Sequence, residues 1–238
     1  MPGTISNARA DRAGDAYRVW VARDGAARGA MAGEFLRALA DIAAYREIHA
    51  YPLKKVTYGV RKMIETEVGR SAQRPGQRFK RMDRILDKLL RFPHMRLPQM
   101  EDIGGCRAVL GDLDQVYAVA ARLHRRWPHS RVHDHILEPK DDGYRAIHVI
   151  ERRDGRLIEV QLRTPTQDEW ASTVEWTAEL TGYRLKDGSG PADLRRYFAM
   201  AAQRLALEDR GDQPDQRLEA DFATLRERVR RYFTTRDE

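Results

Sequence analysis

Apolar residues spaced three or four positions apart run through the first part of the chain and predict helices. The alanine-rich stretch around Leu39 and Ile42 shows the pattern most clearly. Residues 1–15 are polar and predict a loose tail. Pro52 predicts a break, because the residue before a proline avoids the helical region. The predicted helices cover 16–48, 53–68 and 81–91, with a polar connection over 69–76.

The pattern shortens to that of β-strands in the middle of the chain. A mostly apolar run over 103–110 predicts a buried strand. The alternating segments 144–151 and 156–163 flank Asp154-Gly155, which predicts a β-hairpin. The remaining predicted elements are a strand over 131–137 and helices over 113–126, 166–180, 192–209 and 215–233.

Helices on both sides of a small sheet predict an α/β or α+β fold. The expected organisation is an N-terminal tail and helix over 1–50, a central domain over 51–187 and C-terminal helices over 188–238. The last segment opens with Gly188-Ser189-Gly190-Pro191, a sequence typical of a connection between elements.

Composition narrows the classes of function. The 238 residues are 42% hydrophobic, enough for a packed core, and the chain lacks the run of about 18 apolar residues that a membrane span needs. The polar start does not resemble a signal peptide, and the single cysteine excludes an internal disulfide, so a cytoplasmic protein is expected. A net charge of +7 suits a nucleotide, RNA or anionic lipid, although solvated surface arginines would give the same excess.

One predicted strand carries polar side chains on a single face. Glu159, Gln161 and Arg163 alternate with apolar residues along 157–163, so they share the face opposite the core. A carboxylate, an amide and a guanidinium in line suit a cleft that handles phosphate and metal. An ordinary half-solvated strand would have the same pattern.

The preceding strand predicts a second set of site residues. Tyr144 and His148 share one of its faces, and Lys140 lies in the turn just upstream. A tyrosine can stack on a base, and a histidine can donate a hydrogen bond to a phosphate. A packed strand aromatic and a structural histidine are the alternatives.

A second carboxylate, Asp102, stands at the entry of the buried strand, just before two glycines. Magnesium takes one or two carboxylates and completes its shell with water and phosphate oxygens. Asp102 and Glu159, from separate strands, could supply these ligands. Asp102 could equally be a turn residue at the start of a strand.

Basic residues recur at steps of three and four on the predicted helix over 81–91 and form a stripe. They are Arg81, Arg84, Lys88 and Arg91. Such a stripe could clamp a triphosphate, since arginine makes bidentate contacts to phosphate. The alternative is a solvated helix face that pairs with Asp83 and Asp87.

Together these segments resemble the RelA/SpoT synthetase family, the alarmone synthetases, over roughly 50–185. The family pattern Arg-x-Lys-x-x-x-Ser-Ile-x-x-Lys is matched at Arg78, Lys80, Ile85 and Lys88, and Asp-Ile-x-Gly-x-Arg is matched from Asp102 to Arg107. Two later patterns, around Gly-Tyr-x-Ser-x-His and Glu-x-Gln-x-Arg-Thr, are matched at Asp134, Ile136, Pro139, Lys140, Gly143, Tyr144 and His148, and at Glu159, Gln161, Arg163 and Thr164.

The resemblance implies a nucleotidyltransferase-like sheet and an enzyme that moves the β,γ-diphosphate of ATP to a ribose 3′-hydroxyl with Mg²⁺. Asp102 and Glu159 would hold the metal, and Glu159 would also help to deprotonate the hydroxyl. The residues implied to bind ATP are Arg78, Lys80, Arg84, Lys88, Arg91 and Arg107. Those implied to bind the acceptor are Lys140 and His148 at its phosphates, Tyr144 at its base, and Gln161 and Arg163 around it.

Three departures from the family patterns leave the acceptor open: Arg84 replaces a serine, His135 a tyrosine and Ala146 a serine. The acceptor could be GDP or GTP, giving (p)ppGpp. In toxic members, which pair with an antitoxin, it is an adenine nucleotide or the 3′ CCA end of tRNA. Arg195-Arg196 could face tRNA or simply be exposed. A degenerate protein that only binds nucleotide or RNA is the alternative, and an oligomer is compatible with the sequence.

Overall fold

A computed structural model describes residues 5–69, 74–185 and 188–233. Five strands form one sheet in these ranges: β1 (Gly76–Phe79), β2 (Gly104–Val109), β3 (Arg131–Asp134), β4 (Ile147–Arg153) and β5 (Arg156–Arg163). Their order across the sheet is β1-β2-β5-β4-β3. β2 and β5 are parallel and the other neighbouring pairs are antiparallel, so the sheet is mixed.

Helices surround the sheet and form both ends of the described chain. They are α1 (Asn7–Val21), α2 (Gly25–Ala30), α3 (Ala32–Glu47), α4 (Ala50–Glu67), α5 (Met82–Arg91), α6 (Leu113–Arg126), α7 (Pro165–Thr181), α8 (Ala192–Glu208) and α9 (Gln216–Val229). α4 and α6 cover one face of the sheet, where they bury Ile158, Val160 and Leu162 of β5. The polar residues that alternate with these three therefore point to the opposite face. The predicted α/β fold with helical extensions is confirmed.

The start of the chain is helical where a loose tail is predicted. α1 begins after Ser6, whose side chain accepts a hydrogen bond from the backbone N–H of Arg9 at 3.2 Å. Ala10 and Ala13 are buried in one cluster with Leu89 of α5, so close packing of small residues holds this polar helix in place. The tail prediction is wrong from residue 7 on, and residues 1–4 lie outside the described ranges.

Several other boundaries differ from their predictions for local reasons. The single helix predicted over 16–48 is divided, with Gly25 at a positive φ of 33° where α2 begins. Pro52 does not interrupt a helix, because it lies in the first turn of α4, where its missing N–H needs no partner. β1 was not predicted, since this edge strand has mostly exposed side chains and no apolar alternation. β4 begins at Ile147 rather than at residue 144.

The predicted hairpin is confirmed. Asp154 and Gly155 both have positive φ, 50° and 76°, as a two-residue hairpin turn of this kind requires. The turn fixes the register of β4 against β5 and places His148 opposite Gln161. The two polar faces identified from the sequence therefore lie side by side.

Both helical extensions are fastened to the centre by side-chain hydrogen bonds. Arg18 of α1 donates to the carbonyl oxygen of Leu89 at 2.9 Å and to that of Met95, at and beyond the last turn of α5. Asp209, directly after α8, accepts from Thr164 Oγ1 at 2.9 Å, where α7 begins.

Of the helices that the structure describes, none combines the length and apolar character needed to cross a membrane.

His49, between α3 and α4, gives the fold a dependence on pH. It is buried, and its Nδ1 lies 2.8 Å from the carbonyl oxygen of Tyr45. Burial, only partly opposed by that hydrogen bond, lowers the pKa of His49 to about 4. Between pH 6.5 and 4 the unfolded chain therefore binds the proton more readily than the folded chain. We expect His49 to contribute full stability above pH 6.5 and to cost up to about 3 kcal/mol as the pH falls to 4.

Urea unfolding of the wild type and of His49→Gln at pH 7.5, 6, 5 and 4.5 measures this contribution. The wild type should lose stability faster than the variant as the pH falls. His94→Gln is the matched control, because His94 is an exposed histidine and its replacement should leave the acid loss of the wild type unchanged. Parallel profiles for the wild type and His49→Gln would contradict the prediction.

Candidate active site

Asp102 lies directly before β2, where it is held between two lysines. Its Oδ2 accepts a hydrogen bond from Lys80 Nζ at 2.7 Å, and its Oδ1 accepts one from Lys88 Nζ at 3.1 Å. Burial alone would raise the pKa of Asp102, but the charges of the two lysines outweigh burial and hold the pKa below its usual range. The carboxylate is therefore ionised at neutral pH.

Glu159 lies on β5, opposite Gly105 of the parallel strand β2. Its Oε1 is 3.0 Å from His148 Nδ1, and its Oε2 accepts a hydrogen bond from Gln161 Nε2 at 2.6 Å. Burial would raise the pKa of Glu159, but His148, Gln161 and the charge of Arg78 hold it at about 2. This second carboxylate is also ionised, although its side chain is almost entirely buried.

The chemistry of this pair of carboxylates fits a magnesium ion. Both are anionic, and the charge of Glu159 disfavours the ionised form of Asp102, so the two are close enough to interact. Across residues 5–69, 74–185 and 188–233, no group of three or more His, Cys, Asp or Glu is arranged to hold a metal. A magnesium ion here would take the two carboxylates and complete its shell with water and phosphate oxygens.

A cleft of about 530 Å³ opens beside Asp102. Five of the predicted ATP-binding residues line it, namely Arg78, Lys80, Arg84, Lys88 and Arg91. The predicted pairing with acidic neighbours also occurs, since Arg84 Nε lies 3.7 Å from Asp83 and Arg91 Nε lies 3.0 Å from Asp87. Such partly exposed pairs are worth less than about 1 kcal/mol, so the arginines can exchange them for a phosphate.

A second cleft, of about 330 Å³, adjoins the first because Arg78 lines both. Arg107, the sixth predicted ATP-binding residue, lines the second cleft only. Arg74 lines it as well, and because a guanidinium is flat and stacks well on an aromatic ring, three arginines in one small cleft suit a nucleotide base.

A third cleft, of about 590 Å³, adjoins the first at another point. The residues that line both are Arg91, Lys140 and Leu185. The third cleft continues between α7 and α8, which contribute Trp170, Val174, Arg195 and Phe198. Lys140, one of the predicted acceptor-binding residues, therefore lies where the two clefts meet.

Tyr144 is buried, and it lies in the turn before β4 rather than in the strand. Its hydroxyl is 2.6 Å from His148 Nε2 and accepts a hydrogen bond from Arg163 Nη2 at 2.8 Å. Lys140 Nζ lies 4.9 Å from the centroid of its ring. Stacking of a base on Tyr144 stays a prediction, and it requires Lys140 to move aside.

The predicted acceptor residues thus divide into two groups. Lys140 lines the clefts, whereas Tyr144, His148, Gln161 and Arg163 form a buried network around Glu159. Arg163 donates to Gln161 Oε1 at 3.1 Å as well as to Tyr144. These four residues are placed to hold Glu159 and one another, and a direct contact of each with an acceptor stays a prediction.

Asp168, in the first turn of α7, belongs to the site but was not predicted. Its Oδ1 accepts hydrogen bonds from Arg107 Nη1 and from Arg163 Nη1, each at 3.0 Å. The sequence does signal the start of a helix here, because Thr164 caps α7. It does not indicate which arginines the first turn meets, since that depends on the order of the strands.

His135, the replacement for the family tyrosine, packs against the same network. Its ring centroid lies 5.1 Å from that of His148 and 6.0 Å from that of Tyr144. Burial, with the charges of Lys140 and His148, lowers the pKa of His135 to about 4. The ring is therefore neutral at pH 7 and adds no positive charge to the site.

Sequence relatives share the central part of the chain. An uncharacterized protein of Mycobacterium tuberculosis is 32% identical over 123 residues, which are 49% of this chain and 44% of the relative. "Probable GTP diphosphokinase RSH2, chloroplastic" of Oryza sativa subsp. japonica is 30% identical over 105 residues, 42% of this chain and 14% of the relative. The chain thus spans less than half the length of these curated relatives.

Solved structures share the fold. Small alarmone synthetase 2 from Bacillus subtilis superposes with a TM-score of 0.58 at 22% identity, covering 72% of this chain and 95% of that one. Small alarmone synthetase 1 from the same organism, bound to its product pppGpp, superposes with a TM-score of 0.53 at 23% identity, covering 77% and 94%. At this level of identity the likeness establishes the fold.

A sequence model of the region found in RelA/SpoT proteins matches residues 77–179. That region contains the four sequence patterns, both carboxylates and all the predicted ATP- and acceptor-binding residues. This central region of the chain is therefore similar to the region found in RelA/SpoT proteins.

Proposed function

We propose that the protein transfers the β,γ-diphosphate of ATP to the ribose 3′-hydroxyl of a guanine nucleotide, GDP or GTP. One observation supports the proposal above all: three clefts adjoin in series, and the middle one opens beside Asp102. Arg78 joins the second cleft to the first, and Arg91 and Lys140 join the first to the third. This arrangement provides a place for the donor base, the donor phosphates and the acceptor, in that order.

The donor occupies the second and first clefts. Arg78 and Arg107 stack on the adenine, while the lysines and arginines along α5 bind the phosphates. Lys80 and Lys88, which otherwise neutralise Asp102, turn toward the phosphates when ATP and magnesium are bound. Asp102 would then hold a bound magnesium ion in place of the two ammonium groups.

The reaction is an in-line displacement at the β-phosphorus of ATP. The acceptor's 3′-oxygen forms a bond to that phosphorus, the bond to the α-phosphate oxygen breaks, and AMP leaves. Glu159, ionised and held by His148, accepts the proton of the hydroxyl. A bound magnesium ion would supply positive charge to the phosphate oxygens, with Asp102 and Glu159 as its protein ligands. Catalysis then comes mainly from positioning and charge stabilisation.

The names of relatives support a guanine acceptor. One relative is named as a GTP diphosphokinase, and one structural neighbour was solved with its product pppGpp. The alternative of a degenerate binding protein is not favoured, because Asp102, Glu159 and the basic lining of the first cleft are all in place.

Transfer of label from [γ-³²P]ATP tests the proposal. The protein is incubated with labelled ATP, Mg²⁺ and, in separate reactions, GDP, GTP, unlabelled ATP or bulk tRNA. We expect label on GDP or GTP only, and none when EDTA replaces Mg²⁺. Label on tRNA or on an adenine nucleotide alone would overturn the guanine acceptor while keeping diphosphate transfer. Label on none of the four would overturn the proposed reaction.

A further inference from the structure

The third cleft lies between the family region and a helix that the family region does not include. Trp170 and Val174 come from α7, which the RelA/SpoT match reaches, whereas Arg195 and Phe198 come from α8, beyond residue 179. Its volume of about 590 Å³ is in the range of sites for small ligands. Its lining also has the usual character of such sites, aromatic and aliphatic walls with a few charged groups.

Two positively charged side chains of this cleft, Lys140 and Arg195, favour an anionic ligand. Arg91 is paired with Asp87 at 3.0 Å. Within the described ranges, the side chain of Arg195 makes no hydrogen bond or ion pair, and neither does that of Lys140, which lies over the ring of Tyr144. These two cations lie on opposite walls, one on the loop before β4 and one on α8, and both are available to a ligand's phosphate.

The two acidic residues of the cleft are compatible with phosphate binding at Arg195. Asp141 and Asp142 also line it, next to Lys140. Asp142 Oδ1 accepts the backbone N–H of Tyr144 at 3.0 Å and so serves to shape the loop, while Asp141 is exposed. Their charges disfavour phosphate beside the loop and leave Arg195, across the cleft, as the more favourable partner.

α8 is held firmly enough to form one wall of a binding site. Trp170 Nε1 donates to the carbonyl oxygen of Phe198 at 2.9 Å, which joins α7 to α8. Gly143, at a φ of 91°, lies so close to α8 that a Cβ there would be 2.6 Å from Ala202 Cβ. Asp209 anchors the end of α8 to Thr164. The wall therefore keeps its place relative to Lys140.

We infer that the acceptor nucleotide binds in the third cleft, with Arg195 of α8 contacting its 5′-phosphates and Trp170 and Phe198 bordering its nucleoside. This inference rests on the proposed function, because the 3′-hydroxyl must face Asp102 through the junction at Lys140 and Arg91. The opposite end of the nucleotide then reaches α8. The C-terminal helix pair is thus part of the acceptor site, outside the family region.

Equilibrium binding of GDP and of guanosine by calorimetry tests the inference, without Mg²⁺ or ATP. We expect Arg195→Ala to weaken GDP binding about tenfold or more, since it removes a charge-assisted contact, and to leave guanosine binding within twofold. Arg195→Lys should restore part of the affinity. Arg196→Ala is the matched control, because Arg196 is the neighbouring exposed arginine on α8 and does not line the cleft. It should change neither affinity.

Steady-state kinetics adds a second measurement. Arg195→Ala should raise KM for GDP about tenfold and leave KM for ATP within twofold. Unchanged GDP binding in Arg195→Ala, or an equal loss in Arg196→Ala, would overturn the inference, as would a rise in KM for ATP instead. Failure of the proposed function has a different signature: the wild type binds GDP through Arg195 but transfers no diphosphate to it.

Discussion

Replacing Glu159 with Gln is expected to lower kcat for diphosphate transfer by about 10³-fold, because it removes the proposed proton acceptor of the hydroxyl and one proposed magnesium ligand. The amide can still meet His148 and Gln161, so the network around it should persist. ATP binding should remain within a few-fold of the wild type, since the residues proposed to bind ATP in the first two clefts are untouched. Single-turnover transfer of label and equilibrium binding of ATP measure the two effects separately.

Glu159→Gln should also lower the stability of the fold. The pKa of Glu159 is depressed to about 2, so its ionised form stabilises the fold above pH 4.5, and that stability is lost as the pH falls toward 2. Glu159→Gln should therefore lower the free energy of unfolding at pH 7 by up to about 3 kcal/mol and flatten its dependence on acid.

Glu151→Gln is the matched control for both effects. Glu151 is a buried carboxylate on β4, but it shares the strand face of Ile147 and Val149, which pack against α4 and α6, away from the clefts. Burial raises its pKa, so the neutral amide should be tolerated. Full transfer activity in Glu159→Gln, or an equal loss in Glu151→Gln, would contradict the assignment of Glu159.

Replacing Asp168 with Asn is expected to destabilise the fold by about 3 kcal/mol, because the substitution leaves a buried guanidinium without its carboxylate. Arg163 is 2% exposed, and Arg107 shares the same carboxylate oxygen, so two cations lose one counter-charge. Urea unfolding at pH 7 should show the loss as a lower midpoint with an unchanged m-value.

Asp83→Asn is the control for this prediction. Asp83 also lies beside two arginines, Arg81 at 3.6 Å and Arg84 at 3.7 Å, but its side chain is 65% exposed. Its replacement should cost less than about 1 kcal/mol. Equal losses in the two variants would mean that burial of Arg163 is not what makes Asp168 important. Adding Arg163→Met to Asp168→Asn should cost less than the sum of the single changes, since the unpaired charge is then gone.

The sequence predicts the polar face of the sheet well because a strand has a strict period of two. Glu159, Gln161 and Arg163 had to share a face once Ile158 and its apolar partners were assigned to the core. The Asp-Gly turn then fixed which residues of β4 lie beside them, and His148 follows from that register.

Contacts that depend on the order of the strands were not predictable in this way. β2 lies beside β5, more than 50 residues away along the chain, and this pairing brings Asp102 near Glu159. Asp168 meets Arg107 for the same reason. A local pattern contains no information on such a crossover, so the sequence suggests the two carboxylates as joint ligands only from their chemistry and from the family resemblance.

Helix α1, strand β1 and the position of Arg195 in a cleft were also not predicted, for a different physical reason. α1 is stabilised by alanine packing and by hydrogen bonds to distant backbone, neither of which gives an apolar stripe. β1 is an exposed edge strand, and Arg195 looks like any solvated arginine until the facing wall of the cleft is known.

The hydrogen bonds of Arg18 have a consequence for local opening. They satisfy the carbonyl oxygen of Leu89, in the last turn of α5, and that of Met95 just beyond it, and they come from a helix more than 70 residues earlier. The last turn of α5 and the whole of α1 should therefore open and close as one cooperative unit of hydrogen exchange. Lys88 and Arg91 belong to that turn, so the proposed binding of the donor phosphates should depend on the docking of the first helix.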